Sequence, residues 1–164
     1  MLHINTILHP TDFSDAAMQS LQLARSLARD HGAKLVILGV AMPAMPVSEV
    51  YVPVGEMAGQ VEELRRQVTK LASTITDVPV ESHALQGTPG HAIVSVADEI
   101  QADLIVMGTH GRSGLSRLVM GSVAEDVMRH AHCPVLTVKP WAKERVPAEE
   151  LVAAQIPVLG AVAT

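Results

Sequence analysis

Short apolar runs alternate along this chain with longer segments whose apolar residues recur three and four positions apart. Ile4 to His9 is such a run, stopped by Pro10 and a polar cluster, and it predicts a first strand. Ser14 and Asp15 then offer cap chemistry for a helix carrying Ala17, Leu21, Ala24 and Ala28 on one stripe, with a stop at Gly32. Lys34 to Val40 is continuously aliphatic, the pattern of a strand covered on both faces. Ala41 to Val52 is proline-rich and without a period, so it reads as a loop.

Val61, Leu64, Val68, Leu71 and Ile75 give the strongest amphipathic signal and predict a second helix. Val80 to Leu85 is a third strand. Thr88 followed by Pro89 reads as an N-cap with proline in the first turn, ahead of a stripe of Ile93, Val96, Ala97 and Ile100. Asp103 to Met107 is a fourth strand. Gly108 to Met120 is rich in glycine and serine and carries Arg112 and Arg117. Ser122 to Glu125 spells a capping box for a fourth helix ending near Ala131, and Pro134 to Val138 is a fifth strand.

Five strands alternating with four helices predict an α/β fold, a doubly wound five-stranded parallel sheet with helices on both faces. With 164 residues, one compact domain is expected, large enough to bury about 70% of its unfolded surface. That domain should occupy 1–140. The remainder, 141–164, should be an extension that packs on a partner subunit or stays disordered. With only Phe13, Tyr51 and Trp141 aromatic, the core must be aliphatic.

Charge and composition narrow the function. The net charge of −5 and the lack of a basic run exclude a nucleic-acid footprint, and the few aromatics exclude a stacking platform for single strands. The single Cys133 suits a reducing compartment. No apolar stretch approaches the roughly 20 residues of a membrane span, and the start lacks a basic leader. A cytoplasmic protein with no membrane partner is expected.

Ligands of open α/β sheets bind beyond the carboxyl ends of the strands, where the strand order reverses. Two strand ends stand out: Pro10-Thr11-Asp12-Phe13-Ser14 and Gly108-Thr-His-Gly111-Arg-Ser-Gly114. If the order is 3-2-1-4-5, strands one and four flank that point and both segments face one crevice. Gly108 and Gly111 would let backbone amides approach an anion and permit positive φ. Gly121 and Ser122 sit at a helix start, where free N–H groups favour negative charge. Two structural readings stand beside this one: Ser122 as an ordinary helix cap, and Asp12 as a capping carboxylate for the first helix.

These residues carry a resemblance. Gly108-x2-Gly111-x9-Gly121-Ser122, with Leu104 to Leu115, Gly121 to Val127, Cys133 to Leu136 and Ile7-Leu-His-Pro-Thr-Asp-Phe-Ser, resembles the universal stress protein family over about residues 2 to 140. The resemblance implies a Rossmann-like sheet of order 3-2-1-4-5 that binds ATP or AMP, with any Mg2+ held by the phosphates. By position, Pro10, Thr11 and Asp12 would line the base and ribose side, and Val40 would meet adenine through its backbone. Met107 and Gly108 would border the ribose. Gly111, Gly121, Ser122 and Val123 would hold the phosphates, with His110 and Arg112 nearby. The resemblance also implies a homodimer through the fifth strand, Val135 to Lys139. Gly39 departs from it, standing where the family more often has histidine or another bulky residue.

The expected role is stress response, as a nucleotide-dependent sensor or chaperone-like partner of another protein, and not as an enzyme. One alternative is a nucleotide-independent interaction module. Another is a flavodoxin-like or receiver domain, although Gln86-Gly87-Thr88-Pro89 stands where a receiver needs its aspartate. His130-x-His132-Cys133 lacks a fourth metal ligand, and His9, Asp12 and Ser14 lack a nucleophile elbow.

Overall fold

A computed structural model describes residues 3–43, 54–109 and 120–140. Among the described residues, nine elements follow in strict alternation: β1 (Thr6–Thr11), α1 (Asp15–His31), β2 (Lys34–Ala41), α2 (Val54–Ser73), β3 (Val80–Gln86), α3 (Pro89–Glu99), β4 (Leu104–Gly108), α4 (Ser122–His130) and β5 (Val135–Val138). All pairings are parallel, and the sheet order is β3-β2-β1-β4-β5. This is the doubly wound order expected above, with β1 and β4 flanking the reversal.

Side chains alternate across the sheet, and each face has its own core. Ile7, Leu35, Ile37 and Val106 pack with Leu21, Ala24 and Ala28 of α1 and Val68 of α2. Leu8, Val36, Leu38 and Ile105 pack with Ile93 and Val96 of α3 and Ala124 and Val127 of α4. Strands covered on both faces need apolar residues at nearly every position, hence the run from Leu35 to Ala41.

The termini of α1 follow from local chemistry. Ser14 Oγ accepts from the Ala17 amide at 3.2 Å, and Gly32 closes the helix in the left-handed conformation, φ 66°. Helix α2 begins at Val54, well before the apolar stripe announces itself, and Ile75 lies beyond its end yet is buried. Thr88 is the N-cap of α3, but its side chain makes no cap bond.

Gly39 is a packing site. A Cβ there would lie 2.7 Å from Val68 Cγ2 and 2.9 Å from Leu64 Cδ1, so the missing side chain is what lets α2 settle onto β2. Gly90 does the same between α3 and α4, where a Cβ would overlap the Asp126 carboxylate.

Strand β1 corrects its sequence reading. It starts at Thr6 and runs through Pro10 to Thr11, where a stop at His9 was expected. The Asn5 carbonyl accepts from the Lys34 amide of β2, so odd residues of β1 point their backbone groups at β2 and even ones at β4. Pro10 is even. Its missing N–H therefore leaves the β1–β2 ladder intact through Thr11 opposite Gly39, while pairing with β4 ends at Leu8 opposite Ile105. Asp103, expected inside β4, precedes it and turns its carboxylate back to accept from the amides of Asn5 and Thr6, at 2.7 and 3.0 Å.

Candidate functional site

The splaying of β1 from β4 opens a crevice of about 620 Å³ at the carboxyl edge of the sheet. Pro10, Thr11 and Asp12 form one wall, and Met107 and Gly108 the other. Val40 closes the β2 end, and Gly121, Ser122 and Val123 close the α4 end. The structure thus brings these expected site residues to one place. His110, Gly111 and Arg112 lie outside the described residues.

The two halves of the glycine motif meet through the backbone. The Gly121 amide donates to the Thr109 carbonyl at 2.8 Å, and the Thr109 amide donates to the Val138 carbonyl at 2.9 Å. The end of β4, the end of β5 and the start of α4 are therefore joined at one point.

The start of α4 departs from the capping box. Gly121, not Ser122, is the N-cap; Ser122 is the first helical residue, and no side chain caps the helix. The Glu125 amide bonds the Gly121 carbonyl at 3.0 Å, and the Glu125 carboxylate pairs outward with Arg129 at 2.6 Å instead of reaching back. The capping motif misleads because i to i+4 pairing with Arg129 competes for the same carboxylate. Amides of the first turn consequently have no intrahelical acceptor, and Ser122, Val123 and Ala124 line the crevice. Gly108 also differs from expectation: it is the last residue of β4, paired with Val138, and among the described glycines only Gly32 has a positive φ.

Across the crevice, Asp12 Oδ1 accepts from the Ser14 amide at 3.0 Å and from Ser14 Oγ at 2.6 Å. Ser14, not Asp12, is therefore the cap of α1, and the Asp12 carboxylate braces that cap while lining the crevice. Phe13 completes this tight turn with φ 62°, and its amide bonds Thr11 Oγ1 at 3.1 Å. Among the described residues lining the crevice, Asp12 is the only charged one.

Several lining residues carry no sequence signal. Leu64 and Gln67 of α2, Pro89 and Ile93 of α3, Ala17 of α1 and the exposed Met42 all reach the crevice. The apolar stripes mark Leu64, Ile93 and Ala17 as core, and only packing shows which stripe positions reach the strand ends.

Below the crevice floor, His9 is wholly buried. Its Nδ1 lies 2.8 Å from the Val106 carbonyl oxygen, and burial lowers its pKa to about 4. A carbonyl only accepts, so Nδ1 carries the proton in a neutral ring. The constellation His9, Asp12 and Ser14 is no triad: Asp12 engages Ser14, and His9 engages Val106. His130 and His132 turn to Asp126 and Asp98 respectively, and the described residues contain no metal-binding cluster of three.

Residues 3–139 match the universal stress protein family. The chain belongs to that family. It is 36% identical over 142 residues to a universal stress protein of Methanocaldococcus jannaschii, covering 84% of each chain. It is 35% identical over 136 residues to one from Thermus aquaticus, covering 82% of this chain and 98% of the relative. Among solved structures, the universal stress protein UspA of Lactobacillus plantarum superposes with a TM-score of 0.68 at 27% identity, covering 83% of this chain and 98% of that one. A universal stress protein crystallised in complex with cAMP superposes with a TM-score of 0.61 at 28% identity, covering 84% of this chain and 98% of that one. Family membership sets aside the flavodoxin-like and receiver alternatives. No helix among the described residues is long and apolar enough to cross a membrane.

Proposed function

We propose that this universal stress protein binds an adenine nucleotide, ATP or AMP, in the crevice between the ends of β1 and β4, and that its role is binding rather than turnover. The observation that carries the reading is the start of α4, whose first turn has no side-chain cap and lines a crevice of nucleotide size. An anion there meets the positive end of the helix dipole. The phosphates rest on Gly121, Ser122 and Val123, and Arg112 supplies further positive charge. The base lies toward Val40, and the ribose between Asp12 and Gly108. A cyclic adenine nucleotide bound to a relative of the same fold supports the same ligand class.

With Asp12 as the sole charged side chain among the described lining residues, Mg2+ would be held by the phosphates and not by a protein cage. Strand β5 ends the sheet, and its outer edge, with the part-exposed Leu136, is the surface through which we propose a homodimer. A cytoplasmic sensor or chaperone-like partner, its partner protein unidentified, completes the proposal.

Nucleotide extraction from purified protein, followed by mass spectrometry, tests the reading. Adenine nucleotide should co-purify, and ATP at about 100 times its Kd should stabilise the fold by about 2.7 kcal/mol. Gly121→Val should abolish that gain. No extracted nucleotide and no change in Tm at millimolar ATP would overturn the proposal and favour a nucleotide-independent interaction module.

A further inference from the structure

His9 makes no contact that the nucleotide reading uses, yet its chemistry is hard to explain as core filling. It stands on the face of Ile7, which packs in the apolar core, and it is fully buried. Among the described residues, its Nε2 is the one buried side-chain nitrogen or oxygen without a partner. An aliphatic residue would fill the space without stranding a lone pair. The polar ring therefore answers some other need.

That need is visible one residue further on. Even positions of β1 address β4, and Ile105 donates its amide to Pro134 on the β5 side, so Val106 faces β1. Continuing the register from Leu8 opposite Ile105, the Val106 carbonyl would accept from the amide of position 10. That residue is Pro10, which has no amide to give. The oxygen left over is the one that His9 Nδ1 reaches at 2.8 Å.

We propose that His9 is a positioning residue of the nucleotide crevice: its ring N–H replaces the amide that Pro10 lacks and holds the end of β4 against β1 where the strands begin to part. The geometry lets two requirements coexist. Proline ends the ladder so that the crevice can open, and the imidazole keeps the opening from spreading into the core. Met107 and Gly108, the next residues of β4, and Thr11 and Asp12, the next of β1, are thereby set at a fixed separation. The inference rests on the nucleotide reading for what the crevice holds, but not for the bond itself.

Four variants test it: His9→Leu, His9→Asn, Pro10→Ala and the double variant Pro10→Ala with His9→Leu. Asparagine can present its amide nitrogen near the position of Nδ1, whereas leucine leaves the Val106 oxygen bare. Each variant is titrated with ATP and AMP, and amide hydrogen exchange is followed at Met107, Gly108 and Thr109. His9→Leu should weaken nucleotide binding by about tenfold and speed exchange at these amides, in keeping with a lost buried hydrogen bond. His9→Asn should stay within about threefold of the parent. Pro10→Ala supplies the missing amide, so in that background His9→Leu should cost no more than about threefold in affinity.

An equal cost of His9→Leu with and without Pro10→Ala would overturn the proposal, as would parent-like affinity and exchange in His9→Leu. If His9→Leu does not fold, folding of the double variant with normal exchange would support the proposal, and its failure to fold would overturn it. If the parent binds no adenine nucleotide, the functional reading falls. The exchange comparison between the backgrounds then decides the role of His9 alone.

Discussion

The Gly121 amide donates to the Thr109 carbonyl at 2.8 Å, tying the first residue after β4 to the cap of α4. The described ends on either side of residues 110–119 are therefore held together by one backbone bond. Loop-closure cost grows only slowly with length, by about 0.6 kcal/mol per doubling.

Replacing residues 110–119 with a glycine-serine linker of equal length should accordingly leave Tm within a few degrees of the parent. Nucleotide affinity should fall by about tenfold or more, because His110, Gly111 and Arg112 are replaced together. Calorimetry in the absence of ligand and titration with ATP separate the two effects. Unchanged affinity would confine phosphate recognition to the start of α4.

His9 makes stability depend on pH. Its folded pKa is lowered from the usual 6.5 to about 4 by burial, against an opposing contribution from the Val106 bond. The unfolded chain therefore takes up the proton first as pH falls. Stability from this residue is fully present above pH 6.5 and is lost progressively between 6.5 and 4. The two values lie about 2.5 pH units apart, which corresponds to a loss of about 3 kcal/mol. Urea titrations at pH 7, 5.5 and 4.5 should show this slope in the parent and lack it in His9→Asn. Parallel slopes in both proteins would assign the acid sensitivity elsewhere.

At Gly39, Val68 and Leu64 occupy the space a side chain would need. Gly39→Ala should cost about 1–3 kcal/mol by overpacking, and Gly39→His more. Leu64→Ala in the Gly39→Ala background should recover part of the loss, although each change alone destabilises. Denaturant midpoints of the three variants form the cycle that measures this. Full additivity would mean that α2 does not rest on Gly39.

Gly90 faces Asp126 across the α3–α4 contact, with the Asp126 Cβ 2.9 Å from where a Gly90 Cβ would stand. Gly90→Ala should destabilise by about 1–3 kcal/mol despite its better helix propensity. Shortening the opposing side chain, as in Gly90→Ala with Asp126→Ser, should restore part of this. A Tm for Gly90→Ala equal to or above the parent would show that the helices can separate freely.

The element order was legible because the strands are short runs, nearly all aliphatic in β2 and β4, and the helices carry stripes of period near 3.6. Five such alternations leave few topologies, and the glycine motif after β4 then marked the crevice. Legibility failed where two local rules competed. Pro10 looked like a strand terminator, and it does end one ladder while the other continues through it. Ser122 and Glu125 looked like a capping box, and Glu125 pairs with Arg129 instead.

The sequence by itself determined the α/β class, the alternation of elements, the family and the strand ends that carry the site, because periodicity, caps and motif spacing are local properties. Only the tertiary structure decided that Pro10 faces β4, that Leu64 and Gln67 reach the crevice, and that Gly121 closes on Thr109. It alone decided, too, that His9 serves the Val106 carbonyl. Each of these depends on which side of a strand or helix meets a neighbour far away in the chain. That is set by register and packing, which no local pattern encodes.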